Sequence, residues 1–233
     1  VVIAGATDGL AELVAKHFGK RRSGGRKGSY QKMQKKSRTP VIQTKETDQA
    51  HVLLAYPALP YGHAGESATN LLRTIMGGTM SSRLFTEVRE KRGLAYSVSA
   101  SVDRFRDAGS FQVYAGLDRT RLQEALKVIA RELKKVAEKG VSETELKEAK
   151  SNIRGRVTLK LEDSTDLASW YARGFLFYDD PWTPEAYLQR IEGVTSAQVG
   201  AIAQRIIKNS AMGVACIGPY SESEFKGMLS KAF

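Results

Sequence analysis

The chain has 233 residues and a formal net charge of +11, with 42% apolar and 26% charged residues. That balance is ordinary for a folded protein and excludes a chain disordered throughout, and the length holds one large domain or two small ones with a core that needs no cross-links. No stretch approaches the ~18 apolar residues of a membrane helix, and the single cysteine, Cys216, cannot form an internal disulfide.

In chain order, Val1-Val-Ile-Ala-Gly reads as an apolar strand and residues 8–18 as a helix, with no signal-peptide n-region and no initiating Met. Residues 20–38 hold nine Lys or Arg and no acid, so the rest of the chain carries only +2. Gly, Ser and Lys without apolar periodicity read as a flexible linker, here bounded at 20–48. With Tyr30 the only aromatic in the basic stretch, the pattern of a nucleic-acid surface is missing, and no nucleic-acid partner is expected. Residues 50–56 read as a strand, and 66–76 and 82–91 as two short helices split by Gly77-Gly78. A hairpin follows: Tyr96, Val98, Ala100 and Val102 alternate with serines, and Phe111, Val113 and Ala115 return after Asp107-Ala108-Gly109. That phase alone places Tyr96 in the core.

Leu122, Leu126, Ile129, Leu133 and Val136 form the stripe of an amphipathic helix. Ser142 with Glu145 starts a helix over 143–162, Thr183-Pro184 starts another, and Thr195 with Gln198 a third. Residues 211–218 read as a last strand, and Ser221 with Glu224 caps a last helix. Strand, glycine, turn and helix occur at both ends, as VVIAG and as VACIG. This echo is read as the closing unit of two homologous halves: residues 1–19 end a preceding half, and 49–233 are the whole of the next one.

No catalytic set is visible. His17, His51 and His63 lie far apart, and His63-Ala-Gly-Glu66-Ser67 is the nearest approach to H-x-x-E-H, with Ser67 where the second ligand belongs. Neither H-E-x-x-H, G-x-S-x-G nor a phosphate-binding P-loop occurs. Cys216 sits in an apolar run and reads as a small core residue.

Residues 77–100, GGTMSSRLFTEVREKRGLAYSVSA, change this reading. The glycine pair, Ser82-Arg83-Leu84-Phe85, Arg89-Glu90-Lys91 and Gly93-Leu94-Ala95-Tyr96 closely resemble a signature of the insulinase/pitrilysin family of zinc metallopeptidases. That family includes the mitochondrial processing peptidases and the core subunits of the cytochrome bc1 complex. The resemblance implies an α+β fold: a mixed, largely antiparallel sheet covered by helices, in two similar subdomains. It implies the non-catalytic half of a clamshell, inactive alone, with metal ligands none in this chain and zinc in a homologous partner half, upstream in the same polypeptide or a separate subunit. By the same resemblance Arg89 and Tyr96 reach a peptide or unfolded-protein substrate near the scissile bond, where a phenol and a guanidinium donate hydrogen bonds to developing charge and to the backbone. Gly77 and Gly78 match a shortened substrate loop. A structural assembly subunit, as in the bc1 core proteins, is the alternative. A homo-oligomer is compatible with the resemblance, and compartment is left open between cytoplasm and periplasm.

Overall fold

A computed structural model describes residues 2–5, 8–20, 39–178, 181–208 and 211–233. Strand β2 (Gln49–Ala58) buries alternate residues, Ala50, Val52, Leu54 and Tyr56, as period-two patterning demands. It pairs antiparallel with β4 (Gly109–Asp118) on one side and with β5 (Gly213–Gly218) on the other. β3 (Ala95–Arg104) closes the hairpin with β4, and the short β1 (Val41–Thr44) adds to β5 in parallel, giving the order β1-β5-β2-β4-β3.

Helices cover one face. α2 (Glu66–Gly77) packs on β3, and α3 (Leu122–Lys139) buries the stripe Leu122, Leu126, Ile129, Leu133 and Val136. Against them sit α4 (Glu143–Lys160), α6 (Pro184–Glu192), α7 (Ser196–Ala203) and α8 (Glu222–Ser230), and α5 (Ser164–Phe177) meets α6 through Trp170 and Tyr187. The capping boxes at Ser142/Glu145, Thr195/Gln198 and Ser221/Glu224 all form, each satisfying backbone donors that a helix start leaves orphaned. Phe111, Leu117, Leu126 and Phe225 are fully buried in one continuous apolar cluster. On the free sheet face the outward residues of β3 and β4 are mostly polar, Ser97, Ser99, Ser101, Gln112 and Tyr114, while Leu53 and Ile217 add apolar surface from β2 and β5.

The described residues form the expected mixed, largely antiparallel sheet covered by helices, as one sheet with one core. Three expectations change. Residues 2–5 form no strand, because an apolar segment becomes a strand only against a partner ladder and none pairs with it among the described residues; α1 (Leu10–Phe18) follows as a helix with no buried residue. The basic stretch 21–38 lies outside the described residues, yet Val41–Thr44, inside the expected linker, is the edge strand β1. The segment expected as an α-helix over 82–91 is mostly a π-helical turn, Phe85–Glu90.

One clasp ties that turn to the helical layer. Arg83 donates through Nη2 to Glu145 Oε2 at 2.8 Å and to the Gly140 carbonyl at 3.0 Å, joining the end of α3 to the start of α4. Burial would push the Glu145 carboxyl up, but hydrogen bonds from Arg83 and from the Ser142 N–H and hydroxyl outweigh it and hold it at about 2. A depressed carboxyl contributes stability above the ordinary carboxylate range, lost as pH falls from ~4.3 toward the folded value. Thermal unfolding measured in steps from neutral pH to about pH 2 should show that loss, and Glu145→Gln should flatten part of it. Superimposable profiles would remove the clasp as its source.

Candidate functional site: an arginine–tyrosine pair on the free sheet face

Leu94 and Ala95 are buried, and Ala95 pairs with Leu117; the next register pair is Ser97 with Gly116. Two residues, Tyr96 and Ser97, therefore oppose one. This is a β-bulge, which lets both point away from the core before Val98 resumes the inward phase opposite Ala115. Tyr96 is 74% exposed. The hairpin phase that would have buried it is broken one residue before Ser97, which is why alternation misplaces this side chain.

Arg89 comes from the π-helical turn. A π-turn carries one residue more than an α-turn and re-aims the side chains beyond it. The Arg89 guanidinium carbon lies 4.9 Å from the Phe85 ring centroid and 5.9 Å from that of Tyr96. Both distances fall in the cation–π range. The neighbouring charges are already spoken for. Glu87 takes Lys91 at 2.6 Å, Arg92 at 2.7 Å and Arg131 at 3.6 Å, and the hydrogen bonds from Lys91 and Arg92 hold its carboxyl down at about 2. Among the described residues Arg89 has no carboxylate partner and its N–H groups no acceptor, and the Tyr96 hydroxyl makes no hydrogen bond. The fold thus brings the two expected residues together, exposed and with their donors open.

Sequence reasoning misses Phe85 as a site residue, although its place four before Arg89 in a helical stretch puts the two on one face. It also treats as ordinary a second group. His51 Nδ1 lies 2.8 Å from the Tyr114 hydroxyl, and the rings stack at 6.1 Å. Across the sheet Ser97, Gly116, His51 and Ile217 are in register, so this pair stands about 10 Å, two strand spacings, from the bulge. Gly77 and Gly78 have packing reasons. A Cβ on Gly77 would lie 2.3 Å from the Ala100 nitrogen, and one on Gly78 2.7 Å from Thr74 Cα. The turn beyond them exposes Met80 at 75%.

The histidines do not offer a metal site. His51 is engaged by Tyr114, His63 Nδ1 accepts from the Gly65 N–H at 2.9 Å, and His17 sits on the solvent-exposed α1. No group of three or more His, Cys, Asp or Glu is placed to hold an ion among the described residues. These residues have no place for zinc, which the resemblance puts in the homologous partner half and not in this chain. Burial raises the Cys216 thiol to about 11, which suits a packing residue and not a thiolate ligand.

The chain is thus one α+β layer pair whose free sheet face carries an exposed arginine–tyrosine pair. Residues 1–153 match the family described as peptidase M16 inactive domain, and the chain belongs to that family. An uncharacterized zinc protease of Mycobacterium leprae is 37% identical over 235 residues, spanning 96% of this chain and 52% of that protein. A protease from Helicobacter pylori superposes with a TM-score of 0.77 at 21% identity, covering 92% of this chain and 53% of that one. A peptidase M16 inactive domain from Pseudomonas fluorescens gives 0.71 at 23% identity, covering 78% of this chain and 44% of that one. The chain spans about half the length of the curated relatives it matches.

Proposed function

We propose that this chain is the non-catalytic, peptide-binding half of a zinc-dependent endopeptidase. The observation that supports this most is the bulge that turns Tyr96 out beside an Arg89 free of any carboxylate. The Arg89 guanidinium offers several N–H donors to backbone carbonyls of an extended peptide. The Tyr96 hydroxyl donates to a carbonyl oxygen on which negative charge develops, without acting as a base. The Phe85 ring under Arg89 limits its rotamers, so less freedom is lost on binding. Zinc and the hydrolytic step belong to a homologous half, in the same polypeptide or in a separate subunit, and closure of the two halves brings these donors to the scissile region. In this reading Gly77 serves packing, and the turn at Gly78–Ser82 forms a rim near the bound peptide.

The test is zinc content and peptide cleavage for this chain alone and joined to its zinc half. Alone it should hold no stoichiometric zinc and cleave nothing. Joined, it should cleave, and Arg89→Ala should raise KM about tenfold, the worth of one charge-assisted hydrogen bond. Chelator-sensitive cleavage by the isolated chain would overturn the proposal. Unaltered kinetics in Arg89→Ala would leave an assembly subunit instead.

A further inference from the structure

The start of α2 opens into a cavity of about 480 Å³ on the helix side of the sheet, lined by His63, Gly65, Glu66, Ser67, Trp182 and Arg190 among others. Helix starts normally find acceptors for their first N–H groups. This one does not. The N-cap is Gly65, which has no side chain to accept, and a Cβ there would strike the side chains of Ile202 at 2.7 Å and Leu59 at 2.8 Å. The next residue, Glu66, could complement the positive helix end, but its carboxylate is turned away. It accepts from the Gly62 N–H at 3.1 Å and the Tyr178 hydroxyl at 2.7 Å, with Arg104 Nε at 3.9 Å. Among the described residues the N–H groups of Ser67 and Ala68 then have no acceptor.

Independent of the helix end is the Ser67 side chain. Ser67 is only 7% exposed, lines this cavity, and makes no side-chain hydrogen bond among the described residues. The residue is buried but its hydroxyl opens into the cavity, where it is a free donor for whatever occupies that space. One cation, Arg190, lines the same space, and a second, Arg205, meets its His63 wall from outside. The Arg190 guanidinium lies over Trp182, 4.1 Å from its ring centroid. Arg205 approaches His63 Nε2 at 3.3 Å. Because His63 Nδ1 accepts from the Gly65 N–H, a neutral ring carries its hydrogen on Nε2, so two donors face each other there. An acceptor between them would resolve that.

We propose that this cavity binds a phosphate-class oxyanion, free or carried on a small molecule, at the start of α2. Its oxygens accept from the N–H groups of Ser67 and Ala68 and from the Ser67 hydroxyl, with Arg190 and Arg205 balancing the charge. Donors converging on the positive end of a helix suit a tetrahedral anion. The volume beyond them and the Trp182 ring leave room for a carrier. The site stands apart from the Arg89–Tyr96 pair and does not depend on the peptide-binding proposal.

The experiment is amide NMR of the whole chain, titrated at constant ionic strength with inorganic phosphate, adenosine monophosphate or acetate. Phosphate should shift the Ser67 and Ala68 amides with a Kd of about 1 mM or tighter, equivalent to ~4 kcal/mol. Ser67→Asp, which puts a carboxylate where the anion sits, should abolish the shifts, and Arg190→Gln should weaken binding about tenfold. Tighter binding of the nucleotide supports a carried phosphate; equal binding supports the free anion. If Ser67→Asp fails to fold, Ser67→Ala and the exposed Arg190→Gln carry the test by their losses in affinity. No shift with phosphate, shifts that survive these variants, or acetate binding as well as phosphate would each overturn the proposal.

Discussion

On the proposed function, Tyr96→Phe, made in this chain joined to its zinc half, is expected to lower kcat about 100-fold with KM little changed. Removing one preorganised donor to a developing oxyanion typically costs a factor of 10² to 10³. An interaction made only in the transition state appears in kcat and in kcat/KM alike. The substitution deletes a single hydroxyl from a side chain that is 74% exposed, so the fold has no stake in it. Circular dichroism and thermal unfolding should match the parent. Arg89→Ala differs: it loses ground-state binding as well, so KM rises too. Steady-state kinetics on both variants separates the roles, and an unchanged kcat in Tyr96→Phe would reduce that tyrosine to surface.

Gly77→Ala should destabilise the chain by about 3 kcal/mol, and Gly155→Ala should stabilise it by up to ~1 kcal/mol. Both glycines lie inside helices, where Ala is intrinsically favoured by about 1 kcal/mol. The difference is what a methyl group meets. At Gly155 in α4 nothing lies within 4 Å, so propensity decides the sign. At Gly77 the new carbon would stand 2.3 Å from the Ala100 nitrogen and 2.7 Å from the Ser99 carbonyl carbon, backbone that cannot rotate aside. α2 must then lift from β3, with the cost of an overpacked core. Melting temperatures should fall roughly 6–12 °C for Gly77→Ala and rise a few degrees for Gly155→Ala. A Gly77→Ala protein as stable as the parent would mean that α2 and β3 are packed less closely. Because β3 carries Tyr96, the same variant should also lose activity, without any contact between residue 77 and substrate.

The starts of α4, α7 and α8 are legible in the sequence because capping is local chemistry: Ser142, Thr195 and Ser221 bond groups three residues away. The start of α5 escapes that reading, although Asp163 accepts from the N–H groups of Thr165 and Asp166 in the same local manner. β1 is not legible at all. Four residues with mostly exposed side chains become a strand only by pairing with Ala215–Gly218, far along the chain. At the site the residue identities are legible through the resemblance of residues 77–100, and the Arg89–Phe85 stack through its spacing. The aim of Tyr96 is not, because a bulge leaves the alternation of Val98, Ala100 and Val102 intact and breaks it at one point only. Nor does composition reveal the donors of Ser67 and Ala68, whose freedom depends on where Glu66 turns its carboxylate.

The bulge at Tyr96 also sets how this protein could lose the role proposed for it. Deleting one residue there would let Ser97 follow Ala95 in step, joining the two ladder segments that already flank the defect. The ladder would become regular and every inward residue from Val98 onward would keep its place. The phenol would be gone from the free face, while the hydrophobic interior stayed unaltered. On the proposed function, a single in-frame codon deletion would separate a substrate-handling half from an inert scaffold of the same shape. Ancestry within such a lineage can therefore be scored by counting residues between Leu94 and Val98, without reference to any metal ligand.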